Sequence, residues 1–191
     1  MLKNYLKYLI SVCKKFANQN NIFDIVLYGS AVKGKQEARD IDILLIFLEN
    51  KLKERTNIAQ KLKGILKKRI KKIDIKTINL PELFEKDFLA RQGIFIEGHS
   101  LLYNIKFSRR LGFESYSLFT YNLKNLNHNE KTKFTYALIG RIKKGIIKQL
   151  NAIHLGKGAI IIPIKNSLIF EEFLKTWKIN YNKKNILISL I

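Results

Sequence analysis

Between Leu2 and Phe16 the apolar residues fall at Leu2, Tyr5, Leu6, Leu9, Val12, Cys13 and Phe16, the three-then-four spacing of one helix face. After the polar NQNN, Ile22 to Tyr28 is a short apolar and β-branched run that ends at Gly29, which predicts a buried strand. Gly29-Ser30 predicts a turn, with Ser30 capping a short helix toward Gly34. Ile41 to Phe47 predicts a second strand, with Ile41, Ile43 and Leu45 on one face and Asp40 and Asp42 on the other. Helical spacing returns over Leu52 to Ile70. Ile73, Ile75 and Ile78 then alternate with Asp74 and Lys76 ahead of Pro81, a third strand. Phe84 to Gln92 predicts a helix, and Gly98 turns the chain into Leu101 to Tyr103.

The order helix, strand, turn, strand, helix, strand implies an α/β (α+β) chain in which a mixed sheet carries flanking helices. The basic stretch NIKFSRRLG, residues 104–112, predicts the end of that unit, so the expected domains are 1–103 and 104–191. In the second, Tyr116 to Tyr121 predicts a strand and Glu130 to Leu150 one long or broken helix. A strand over Ala159 to Ile164, a helix over Phe170 to Trp177 and a strand over Ile186 to Ile191 complete a small basic α+β domain. No internal repeat or low-complexity tract interrupts the 191 residues.

Charge changes this picture most. The 36 Lys and Arg against 15 Asp and Glu give a formal net charge of +21, a field that attracts phosphate backbones when it is carried on a folded surface. A chain rich in Lys, Ile and Asn is also what AT-rich coding yields, so a solvated basic surface is the other reading. One cysteine, Cys13, excludes an intrachain disulfide and falls in a helical apolar pattern, which fits a buried thiol in a reducing compartment such as the cytoplasm. The first 16 residues are broken by Lys3, Lys7, Lys14 and Lys15, and no segment reaches 18 apolar residues, so no membrane partner is expected.

Against so little negative charge, Asp40 and Asp42 stand out. Two side chains on one strand face have Cα atoms about 6.5–7 Å apart, close enough for both carboxylates to lean onto one pair of cations. Without metal the pair repels and at least one pKa rises. Asp74, alone between isoleucines on the third predicted strand, faces them if the second and third strands are neighbours. Gly29 lets a backbone approach a triphosphate closely, and Ser30 adds a hydroxyl at a turn. The opposing reading makes the aspartates a solvated edge-strand face and Gly-Ser an ordinary turn.

LYGSAVKGKQEARDIDIL resembles the signature of the polymerase β-like nucleotidyltransferases: an apolar residue, Gly-Ser, a spacer, then Asp, apolar, Asp, apolar. Gly34 and the later EGHSLLYN are similar to the minimal nucleotidyltransferases of that superfamily. The resemblance covers about the first 103 residues. It implies that Gly29 and Ser30 hold the triphosphate and that Asp40, Asp42 and Asp74 hold metal, Mg²⁺ or Mn²⁺. It also implies that an NTP such as ATP is a substrate, with its nucleoside monophosphate passed to an acceptor hydroxyl. Lys33, Lys35 and Arg39 either neutralise the triphosphate or decorate a solvated loop. Arg39 replaces the serine that often precedes the first aspartate in minimal members acting on proteins, which leaves the acceptor open.

For that acceptor the charge favours nucleic acid, RNA over DNA, with a partner protein or a catalytically silent basic module as alternatives. Lys67, Lys68, Arg69, Lys71 and Lys72 stand just before the third strand, either drawing a polyanion toward the carboxylates or coating a helix. In the second half Arg109, Arg110, Arg141, Lys143, Lys144 and Lys148 are interleaved with Tyr116, Phe119, Tyr121, Phe134 and Tyr136, a stacking surface or a core. LGKGAIIIP lacks Walker spacing and reads as a turn entering a strand. His99, His128 and His154 show no ligand spacing.

Overall fold

The computed structural model describes residues 2–32, 40–142 and 144–190. The chain divides into two compact units, Met1–Gly112 and Phe113–Ile191.

In the first unit, α1 (Leu2–Ala17) leads into β1 (Ile22–Tyr28), a 3-10 turn (Gly29–Ala31), β2 (Ile41–Phe47), α2 (Leu52–Lys67) and β3 (Ile73–Asn79). A second 3-10 turn (Pro81–Phe84), α3 (Arg91–Glu97), β4 (His99–Ser100), β5 (Ile105–Lys106) and α4 (Phe107–Arg110) follow. The five strands lie in the order β3-β2-β1-β4-β5. β1 and β2 are antiparallel, whereas α2 returns the chain so that β3 runs parallel to β2. The sheet is therefore mixed, with helices on both faces.

Strand parity assigns those faces. Ile25, Leu27, Ile43, Leu45 and Phe47 pack with Leu9, Cys13 and Phe16 of α1 and with Ala59, Leu62 and Leu66 of α2. The opposite face carries Val26, Leu44, Ile46 and Ile78 against Leu83, Ile94 of α3 and Phe107 of α4. Buried on both sides, β2 reads as a continuous apolar run, and Asp42 at its start is the interruption. The Cys13 thiol is fully buried, and burial pushes it up to about 12.

Asp24, also fully buried, accepts from Ser100 Oγ (2.8 Å), from the Ile25 backbone N–H (2.7 Å) and from Arg110 Nη1 (2.5 Å). Burial pushes its carboxyl up, while the Ser100 hydroxyl and the Arg110 guanidinium pull it back. Arg110 lies over the rings of Tyr103 (4.0 Å) and Phe23 (4.3 Å). These contacts tie the end of the unit to its first strand. They explain why it closes at Gly112 rather than at residue 103: β5 pairs with β4, and Phe107 fills the second face.

The second unit contains β6 (Phe113–Tyr121), α5 (His128–Ile139), α6 (Ile146–Leu150), β7 (Ile153–Gly156), β8 (Ala159–Pro163), α7 (Ser167–Thr176) and β9 (Tyr181–Ser189). Its antiparallel sheet has the order β7-β8-β6-β9. Phe119, Ile160 and Ile162 pack against Phe134 and Leu138 of α5, Leu150 of α6, and Phe170 and Leu174 of α7. A capping box starts α5: Asn127 accepts from the Glu130 N–H and Glu130 from the Asn127 N–H.

Two expected elements move, and two others take a definite form. The helix expected over 84–92 forms instead as α3, because Pro81 opens a tight turn that buries Leu83, and Ile94 rather than Phe88 becomes the fully buried anchor. Of the two readings of 130–150 the broken helix is the one that forms: it ends at Gly140 (φ 92°), and the chain folds back so closely that a Cβ on Gly145 would overlap the backbone of Leu138 to Gly140. The last strand starts at Tyr181, since β9 pairs with the whole of β6 despite its polar Asn182 to Asn185. LGKGAIIIP is a turn entering strand β8, as its pattern predicts, and the turn joins β8 to β7 as a hairpin. Among the described residues no helix is long and apolar enough to cross a membrane.

Candidate active site

The three strands β1, β2 and β3 bring one row of residues together: Tyr28 pairs with Asp42, and Asp42 with Asp74. All three belong to the second face by parity. There the apolar cluster ends with Tyr28 packed on its rim. Asp40 stands just before β2 and is exposed, Asp42 is half-buried and Asp74 is exposed on edge strand β3. Parallel pairing thus places Asp74 beside Asp42, which the sequence made conditional on the strand order.

The electrostatics follow from this crowding. Burial raises the Asp42 carboxyl above its ordinary value, and the charges of Asp74 and Asp40 raise it further, with Lys76 opposing. Tyr28 is pushed up to about 12, by burial first and then by Asp42 and Asp74. Among the described residues, burial and the neighbouring carboxylates outweigh the nearby lysines at both the carboxylic acid and the phenol. Asp74 Oδ1 has Lys63 Nζ at 3.8 Å, reaching it from α2.

Gly29 completes the contact. Its φ is 76°, a left-handed conformation that favours glycine, and a Cβ there would overlap Asp42 Oδ2. Ser30 lies inside the 3-10 turn, which Val32 N–H closes on Gly29 O at 3.3 Å. It is therefore a turn residue and not a cap, as Tyr28 holds the preceding position and makes no side-chain cap. Lys33, Lys35 and Arg39 lie outside the described residues.

Among the described residues no three acidic, His or Cys side chains are gathered as a ready metal cage. The donor set nevertheless fits a hard divalent cation in kind: three carboxylates at one strand end, mutually repelling around Asp42. His99 belongs elsewhere, with Nε2 3.1 Å from Asn104 Oδ1, and His128 and His154 lie in the second unit. The basic cluster of α2 ends beside the row. Lys72 O accepts the Ile41 N–H at 3.1 Å, so Lys71 and Lys72 flank the start of β2. In the second unit Phe119 and Phe134 are core rather than a stacking surface.

Sequence reasoning passed over Tyr28, Lys63 and Lys76. Parity alone reaches two of them: Tyr28 is the strand residue before Gly29, and Lys76 is two residues beyond Asp74.

No curated protein matches the chain. A solved structure of a tri-AMPylated Shewanella oneidensis HEPN toxin in complex with MNT antitoxin is 21% identical, covering 56% of this chain and 78% of the other at a TM-score of 0.38. A mutant toxin-antitoxin MntA-HpeT is 22% identical over 48% and 71%, with a TM-score of 0.36. Both likenesses are too slight to bear on function. Residues 11–100 match the family described as Polymerase beta, Nucleotidyltransferase. That span runs from within α1 through the whole row of Tyr28, Asp42 and Asp74, so residues 11–100 form a nucleotidyltransferase domain of the polymerase β type, and the match ends before the second unit.

Proposed function

We propose that the chain transfers a nucleoside monophosphate from an NTP to an acceptor hydroxyl carried on nucleic acid, RNA before DNA. The observation that carries the reaction is the contact of Gly29, Asp42 and Asp74 across adjacent strands. Asp40, Asp42 and Asp74 would hold Mg²⁺, or Mn²⁺ in its place. Bound there, divalent cations lower the pKa of an attacking hydroxyl and offset charge on the departing pyrophosphate.

The chain's own groups supply the rest. Gly29 and Ser30 anchor the triphosphate, ATP among the candidates, through backbone N–H groups and the Ser30 hydroxyl. Asp74, the most open of the paired carboxylates, accepts the acceptor's proton as a bond forms between its oxygen and the α-phosphorus. The bond from the α-phosphorus to the bridging oxygen breaks, and pyrophosphate leaves. Lys33 and Arg39 would neutralise the triphosphate from the motif's spacer.

Two observations support a polyanionic acceptor: the +21 net charge and the Lys71-Lys72 pair at the start of β2. A protein hydroxyl is the second reading, favoured by the similarity of Gly34 and EGHSLLYN to the minimal nucleotidyltransferases. Incubation with Mg²⁺ and each α-labelled NTP, with total RNA and lysate protein present together, separates them. Label in RNA that disappears with Asp40→Ala/Asp42→Ala is the expected result. Label in protein alone would select the second reading. No label anywhere, with salt-dependent RNA binding intact, would leave a binding module without turnover.

A further inference from the structure

The second unit has its own cleft, away from the carboxylate row in sequence and built wholly from its own residues. One hollow of about 570 Å³ opens among the end of β6, α5 and the β7-β8 hairpin. Another of about 300 Å³ opens between the ends of β6 and β9. Tyr121 and Asn122 line both, so the two adjoin. Volumes in this range are those of pockets that enclose a nucleotide-sized ligand.

The lining has three chemistries. Phe134 and Leu138 give the larger hollow an apolar floor, where Tyr121 meets Phe134 edge-on with centroids 5.8 Å apart. Amides supply directional groups. Asn122 uses its oxygen on the Lys124 N–H (3.2 Å), which leaves its NH₂ as donor, and Asn180 and Asn182 line the smaller hollow with Tyr181. At the rim of the larger, the hairpin contributes His154 and Lys157. Among the described residues no carboxylate lines either hollow, and the unit as a whole carries 13 Lys and Arg against 4 acids.

An acyl chain would leave the amides unused, and an acidic peptide would meet Lys157 but not the aromatic floor. A flat base with hydrogen-bonding edges, joined to phosphate, uses all three. We propose that this cleft binds unpaired nucleotides of a single-stranded RNA. One base lies on Tyr121, whose ring meets the buried Phe134 edge-on, with its edge toward Asn122, its neighbour enters the hollow of Asn180 and Asn182, and phosphate meets Lys157. The occupant is then the acceptor strand, an identification that rests on the reaction proposed above, whereas the binding does not.

The test uses the full chain without NTP or Mg²⁺. Fluorescence anisotropy follows binding of labelled oligouridylate and oligoadenylate, and of a duplex of equal length. The expected result is a single-strand preference of about 10-fold or more, lost in Asn122→Ala/Lys157→Ala. Lys165→Ala, which removes the same charge just beyond the other end of β8, shifts affinity by less than about threefold. Equal losses in both variants, no preference for single strands, or equal competition by an acidic peptide would overturn the proposal in favour of diffuse charge. Photo-crosslinking of 4-thiouridine RNA to the unaltered protein is an independent check. Crosslinks within residues 121–123 or 153–158 are expected, and crosslinks only elsewhere would contradict it. Binding retained by Asp40→Ala/Asp42→Ala, with no transfer by the unaltered protein, would sink the reaction and spare the cleft. RNA transfer unchanged by Asn122→Ala/Lys157→Ala would overturn the identification of the occupant as the acceptor strand and spare the reaction.

Discussion

Gly29 lies directly against Asp42: at a φ of 76° its Cα faces the carboxylate so closely that one methyl group would overlap Oδ2. The residue read as the triphosphate cradle and the residue read as a metal holder therefore form one packed unit, since β1 and β2 are joined across this turn and paired along their length.

Gly29→Ala should separate the two roles of that contact from mere folding. The substitution adds left-handed strain of about 1–3 kcal/mol and displaces the Asp42 side chain, so transfer should fall about 100-fold or more. Steady-state kinetics beside a thermal melt measure both. Activity within threefold of the unaltered protein would show that the contact is incidental.

Asp42→Asn should lower transfer about 100-fold or more while raising the melting temperature of the metal-free protein by a few degrees. The sign follows from the raised carboxyl. An acid whose folded pKa exceeds its unfolded value costs stability as pH rises from the ordinary carboxylate range through the folded pKa, and the cost is complete above it. The melting profile of Asp42→Asn against pH should be flatter across that window. Mg²⁺ should stabilise the unaltered protein but not the variant. Identical profiles with and without Asp42 would contradict the mutual repulsion.

Arg110→Ala leaves the Asp24 carboxylate buried beside Ser100 without its cation. Breaking a buried pair from one side costs about 3–5 kcal/mol. Denaturant unfolding of the first unit should register that loss, and Asp24→Asn/Arg110→Met should recover part of it. A loss below about 1 kcal/mol for Arg110→Ala would mean that the pair is solvated in solution.

Glu171 offers a pH test in the second unit. Hydrogen bonds from Lys183 (2.8 Å) and Tyr181 (2.9 Å), with Lys175 also near, hold it down to about 2. For a depressed acid the stabilisation is complete above the ordinary pKa near 4.5 and is lost as pH falls from there toward 2. The cluster is partly solvated, so about 1 kcal/mol is at stake. Glu171→Gln should melt lower than the unaltered protein at pH 7 and converge with it near pH 2. A constant offset at every pH would assign the effect to packing.

Much of the site was legible because strands have a period of two. That period put Asp42 on the face opposite Ile41 and Ile43, and Asp74 with Lys76 on one face of another strand, before any pairing was known, whereas Asp40 lies just outside β2. The adjacency of Asp42 and Asp74 needed one further rule, that a strand-helix-strand crossover lays its strands parallel in one sheet. The Asp24-Arg110 pair was not legible, since its members are 86 residues apart and one lies in what reads as a basic linker. Nor was β9, where Asn and Lys occupy an edge strand whose length is set by its partner β6 rather than by its own pattern. α3 was misplaced because Phe84, Phe88 and Leu89 mimic helical spacing while a proline-led turn takes Leu83 inside and leaves Leu89 89% exposed. The cleft of the second unit comes from four separated segments, an arrangement that only tertiary structure assembles.

Pyrophosphate release tests the central claim most directly. The unaltered chain, Asp42→Ala and Asp74→Ala would each be incubated with Mg²⁺, the four NTPs in turn, total RNA and lysate protein. The account predicts metal-dependent release by the unaltered chain with at least one NTP, and release near background for either variant. Release that persists undiminished without Asp42 or Asp74 would contradict the assignment of this row as the centre of nucleotidyl transfer.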